Sequence, residues 1–154
     1  MADEIATPAE LDACESAVDA WLKVQLDENP VVAAVERGEP GERRWYVRVT
    51  GEQKSVFTIW FTLQQRCLHY ETYLMPAPEE NHAQLYEHLL RRNLKMNGVA
   101  FAIGVEDAVF LVGQVPVHTI DDGELDRILG SLYVYTEQFF RPAMRIGYAG
   151  KFSG

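Results

Sequence analysis

Cysteine is scarce, positive charge is in deficit and long apolar runs are missing, and each shortage removes a class of function. Only Cys14 and Cys67 occur in 154 residues, with no CxxC or Cys/His spacing that could hold zinc, so both are expected to be reduced, mostly buried thiols. The 14 basic residues stand against 23 acidic ones, a net charge of -9, which disfavours non-specific attraction to nucleic acid or anionic lipid. No apolar stretch reaches the roughly 18 residues of a membrane span. Met1-Ala2-Asp3-Glu4 lacks the basic start and apolar core of a secretory signal. These shortages predict a cytoplasmic protein that engages neither nucleic acid nor membrane.

Catalytic signatures are missing too. There is no Walker-type phosphate loop or dinucleotide fingerprint, and Gly147-Tyr148-Ala149-Gly150 lacks the strand before it and the helix after it that such a loop requires. There is no nucleophile elbow. His69, His82, His88 and His118 are scattered, none with a second ligand at metal-binding spacing. The carboxylate pairs Glu79-Glu80, Glu106-Asp107 and Asp121-Asp122 fall at turns and helix starts, where capping and solvation explain them better than acid/base work. The expectation is a protein that is not an enzyme and needs no metal or cofactor.

What the chain has in quantity is aromatic and β-branched sequence. Arg44–Val49, Ser55–Leu63 and Cys67–Met75 read as strands. Phe57, Ile59, Phe61 and Leu63 alternate as a core face, and Val56, Thr58, Trp60 and Thr62 fall opposite. Arg44, Tyr46, Arg48 and Thr50 form the amphipathic face of the preceding strand, which lets Tyr46 pair with Trp60. In the third run Leu68, Tyr70, Thr72 and Leu74 are assigned inward and His69, Glu71, Tyr73 and Met75 outward. Val31–Glu36 supplies a first strand, and the short connections make the set an antiparallel meander. Val99–Val105 and Ala108–Val117 flank Glu106-Asp107 as a hairpin.

Three helices complete the order. Thr7-Pro8-Ala9-Glu10 is a capping box with proline at the first turn; it opens a helix anchored by Trp21 that stops at Asn29-Pro30. A second helix, after Pro76-Ala77-Pro78, has the apolar stripe Leu85, Tyr86, Leu89, Leu90, Leu94 and Met96 and stops at Asn97-Gly98. A third begins at Asp121 or Asp122 and ends at Arg141-Pro142. The architecture is α+β, an antiparallel meander plus hairpin packed with three helices in the order α-β(3–4)-α-β2-α. Residues 7–147 are expected to form one domain, with 1–6 and 148–154 as flexible ends.

The segments Arg44-Trp45-Tyr46-Val47-Arg48, Tyr70–Asn81, Tyr86–Asn93, Gly104–Leu111 and Phe139-Phe140-Arg141-Pro142-Ala143 resemble the actinobacterial YbjN-domain proteins over about residues 7–147. That family is described as sensory-transduction regulators. The resemblance implies a fold like that of type III secretion chaperones, small cytoplasmic proteins that often dimerise and hold partner segments. It brings no catalytic motif, so no residue inherits a role from it.

The functional expectation is a non-catalytic, chaperone-like adaptor whose partner is another protein or peptide segment, with homodimerisation a separate expectation. Tyr46, Trp60, Thr58, Thr62 and Tyr73, flanked by Arg44 and Arg48, have the composition of a binding hot spot. A covering helix or second subunit would explain the same aromatics equally well. The alternative function is a small-ligand sensor, with an apolar pocket between sheet and helices that carries polar groups such as His69 and Glu71.

Overall fold

A computed structural model describes residues 4–152. Helix α1 (Pro8–Glu28) starts with a reciprocal cap: the Glu10 N–H donates to Thr7 Oγ1 at 3.1 Å and the Thr7 N–H to Glu10 Oε1 at 2.9 Å. Strands β1 (Val32–Arg37), β2 (Arg44–Thr50), β3 (Val56–Leu63) and β4 (Cys67–Met75) follow as a meander. After α2 (His82–Asn93), the hairpin of β5 (Ala100–Ile103) and β6 (Val109–Pro116) joins the sheet through β6. The strand order is β1-β2-β3-β4-β6-β5, antiparallel throughout. Helix α3 (Asp122–Gly147) closes the fold, capped by Asp121 Oδ1, which accepts from the Glu124 N–H at 2.8 Å.

The inner sheet face and the helices share one core. Trp45, Val47, Val49, Ile59, Phe61 and Leu68 are wholly buried there, together with Val18 of α1 and Leu125 and Leu132 of α3. The two inner tryptophans satisfy their N–H groups with carboxylates, as buried indoles must. Trp21 donates to Asp126 at 2.8 Å and Trp45 to Asp19 at 2.7 Å. Arg37 bridges Glu15 and Asp19 while Arg43 bridges Asp12 and Glu15, fastening α1 to the first hairpin.

The alternation read for β2 and β3 is realised residue by residue. In β4 it fails at the last position. The register shifts between Tyr73 and Met75, and this bulge swings Met75 from the expected outer face into the core. The stripe of α2 is also narrower than expected. Leu85 and Leu89 are buried, but Leu90 and Leu94 are 65% and 86% exposed, because only one side of that helix meets β5 and α3. The helix ends at Asn93, short of Asn97-Gly98, since the Asn93 side chain turns to clamp the backbone N–H and C=O of Phe101.

Helix α3 does not end at Arg141-Pro142 but continues through the proline to Gly147. Proline removes one intrahelical donor and crowds the carbonyl four residues earlier, and the turn beyond it is held by packing. Ala143 is fully buried, and a Cβ on Gly147 would come within 2.9 Å of Met75 Cε and 3.0 Å of Pro78 Cβ. Parts of the expected flexible ends are anchored. Ala6 is buried and its N–H donates to Gln65 O at 2.7 Å. Tyr148 donates to Ala77 O at 2.6 Å, and the Gly150 N–H to Glu80 Oε1 at 2.6 Å. Residues 1–3 and 153–154 of those ends lie outside the described residues.

Candidate functional site

The outer face of the sheet has no helix over it among the described residues. Its side chains, from Ala34 on β1 to Ala102 on β5, are half-exposed or exposed, apart from Phe110. Register brings the expected residues together there. Tyr46 lies opposite Trp60, Trp60 opposite Glu71 and Glu71 opposite Val112, a single row across four strands. Arg48 faces Thr58 in one flanking row, and Arg44, Thr62, His69 and Gln114 make up the other. Directly opposed side chains sit roughly 5 Å apart at Cβ, so these rows form a continuous surface.

Tyr73 joins the surface through Phe110, a residue that sequence reasoning missed. The Trp60 and Phe110 rings are 6.3 Å apart, and Tyr73 meets Phe110 edge-on at 5.6 Å. The signal for Phe110 is the same as for Trp60: Val109-Phe110-Leu111-Val112 is apolar on both faces, which one-sided burial does not require. Trp60 also differs from the inner tryptophans, because its indole N–H has no partner among the described residues.

Lys54, in the turn between β2 and β3, closes the Tyr73 end. Its Nζ donates to the carbonyls of Tyr73 at 2.5 Å and Leu74 at 3.0 Å, beside the β4 bulge, and stands 4.9 Å above the Tyr73 ring. Burial pulls the ammonium down to about 8; the two carbonyls and the ring offset part of its lost hydration. Burial likewise pushes the Tyr73 hydroxyl up, with smaller contributions from Tyr148 and Glu106.

Two hollows flank Trp60. One of about 160 Å³ runs past Thr62, His69 and Glu71, and one of about 320 Å³ past Phe110, Val105 and Glu71. His69 and Glu71 therefore lie on the outer face, not between sheet and helices as the ligand-sensor alternative requires. Strand alternation from Leu68 and Tyr70, both core residues, forces them outward. His69 Nε2 is 3.1 Å from Cys67 Sγ on the same face.

An apolar strip adjoins this surface where α2 meets the edge strand β5, sharing Ala102 and Ile103 with the larger hollow. A groove of about 370 Å³ is lined by Tyr86, Leu89, Leu90, Phe101, Ile103 and Val109. Leu94, one turn beyond Leu90, and Val105, two residues beyond Ile103, are further exposed apolar side chains.

Comparison with known proteins matches residues 19–143 to the YbjN family model, described as "Putative bacterial sensory transduction regulator". An uncharacterised protein of Mycobacterium tuberculosis is 28% identical over 102 residues, 66% of this chain and 56% of the relative. One of Mycobacterium leprae is 27% identical over 108 residues, 70% and 59% of the two chains. The chain thus spans less than two thirds of the length of the curated relatives it matches. Among solved structures, the Yersinia pestis type III secretion chaperone SycH, in complex with a stable fragment of YscM2, is similar with a TM-score of 0.53 at 19% identity, covering 81% of this chain and 98% of that one. The Pseudomonas aeruginosa ExoU–SpcU complex gives 0.54 at 16% identity, covering 82% and 96%. The ExsC–ExsE complex gives 0.56 at 15%, covering 82% and 93%. At these identities the likeness is one of fold: α+β, of the type III chaperone kind.

Proposed function

The chain belongs to the YbjN family, and from that premise we propose that it is a non-catalytic cytoplasmic adaptor of chaperone-like fold, acting in bacterial signal transduction by holding a segment of another protein on the outer face of its sheet. The observation that carries this reading is the uncovered row of Tyr46, Trp60 and Glu71 with Phe110 and Tyr73 beside it. Half-buried aromatics ringed by Arg44, Arg48, Thr58 and Thr62 are the composition of a docking surface. The similar solved structures, each a complex of two proteins, support a protein partner for this fold. Affinity capture from native lysate tests the reading. Trp60→Ala and Tyr46→Ala should each lower recovery of a captured partner at least about tenfold, the loss of one hot-spot side chain. Undiminished recovery by both variants overturns it.

The α2–β5 strip has a different fitting occupant, a second copy of this chain. Leu90, Leu94, Ile103 and Val105 are all more than half exposed, an unusual grouping for a lone surface. The two ends of α2 carry opposite charge, Glu79 and Glu80 ahead of its first turn and Arg91 and Arg92 in its last, which an antiparallel copy can match in addition to the internal pairs Glu79–Lys151 and Glu87–Arg91. Sedimentation should show a concentration-dependent species near twice 17.5 kDa, and Leu94→Asp should return it to the monomer without altering the fold. A single 17.5 kDa species at all concentrations rejects the dimer.

A further inference from the structure

Resting on the docking role of the outer face, we propose that its β3–β4–β6 half is a subsite for a cationic side chain, so that the partner segment carries an arginine or lysine seated between Trp60, Phe110 and Glu71. Two groups with no hydrogen-bond partner among the described residues stand opposite each other. Glu71 is exposed and makes no ion pair or hydrogen bond among the described residues, whereas the other carboxylates nearest the tryptophans, Asp19 and Asp126, are engaged by indole N–H groups. Trp60 is its direct cross-strand partner. Both hollows beside the indole have Glu71 in their walls, and the larger one is also lined by Phe110.

A carboxylate beside the half-exposed Trp60 ring, with Phe110 packed against that ring, is complementary to an organic cation. The ring quadrupoles attract its charge within about 6 Å of a centroid, the carboxylate accepts its N–H donors, and the hollow takes its aliphatic stem. The opposite half of the face selects against this ligand. Arg44 and Arg48 stand on β2; Arg44 has Glu42 at 3.9 Å, and Arg48 has no carboxylate partner among the described residues. Arg48 and Glu71 thus place opposite charges on β2 and β4, which favours one direction for a segment crossing the face, with Glu36 opposite Tyr46 and Lys54 above Tyr73 as further charges at its margins.

Selection from a library of random linear peptides, displayed against the intact chain, tests the subsite without knowing the natural partner. The targets are wild type, Trp60→Ala, Glu71→Gln and Glu71→Lys. Wild type should enrich peptides with Arg or Lys at one fixed position by about tenfold over the unselected library, the scale of one surface cation–π contact plus one exposed ion pair. The preference should vanish with Glu71→Gln and change to Asp or Glu with Glu71→Lys. Trp60-dependent peptides with no basic preference overturn the cationic subsite and leave the docking role in place, as does a basic preference that survives Glu71→Gln. Failure to select any Trp60-dependent peptide overturns the docking role itself.

Discussion

Gly113→Ala is expected to destabilise the protein by about 3 kcal/mol or more, at or beyond the upper end of ordinary overpacking, while Gly130→Ala should stabilise it by roughly 0.5–1 kcal/mol, the helix-propensity gain of alanine over glycine. A Cβ on Gly113 would stand 2.8 Å from Tyr70 Cζ, and closer still to Tyr70 Cε2 and to the carbonyl oxygen of Gly98. Neither neighbour can give way cheaply. The Tyr70 ring is buried in the core beside Phe61, with centroids 6.5 Å apart, and its hydroxyl donates to that same Gly98 oxygen at 2.6 Å. Gly113 is thus needed for close approach rather than for an unusual backbone angle, since its φ is not in the left-handed region. Gly130 lies inside α3, and a Cβ there meets nothing within 4 Å. In a domain of this size each kcal/mol moves Tm by about 2–4 °C, so thermal melts of the two variants should shift in opposite directions. A loss below about 1 kcal/mol at Gly113 would mean that β6 and the Gly98 loop are not packed as described.

Much of this architecture is legible in the sequence, and the failures share a cause. Local rules fix what depends on neighbours in the chain: the Thr7–Glu10 box, the Asp121 cap, and the two-residue alternation that separates Phe57, Ile59 and Phe61 from Thr58, Trp60 and Thr62. They miss what depends on distant groups. Met75 turns inward because a bulge opposite β6 breaks the period. Periodicity places Leu90 and Leu94 on an apolar stripe without showing that both stay mostly exposed among the described residues. Pro142 remains helical because the turn beyond it packs against the Pro76–Pro78 segment, a contact between positions far apart in sequence. For the site, alternation was enough to group Tyr46, Trp60, Thr58, Thr62, Arg44 and Arg48, but the cross-strand register was needed to set Glu71 against Trp60 and Phe110 beside it.

The same register makes the tryptophans a sharp test of which face is core. Trp45→Ala should cost about 3–5 kcal/mol, the usual range for deleting a fully buried large aromatic. Its ring is wholly buried, its N–H is satisfied by Asp19, and Arg37 stacks on it at 4.8 Å from the centroid. Trp60→Ala, one strand away and on the opposite face, removes a half-exposed ring whose described aromatic neighbour is Phe110, and should cost about 1 kcal/mol, near the middle of the distribution for point changes. Both changes delete the same atoms, so the difference between them isolates burial from side-chain size. Urea unfolding with matched m-values gives that difference directly. Equal losses would place Trp60 in a packed interior, and the outer face would then be an internal or subunit-covered surface. A large gap leaves Trp60 a residue whose bulk contributes little to the fold, as the proposed docking role requires.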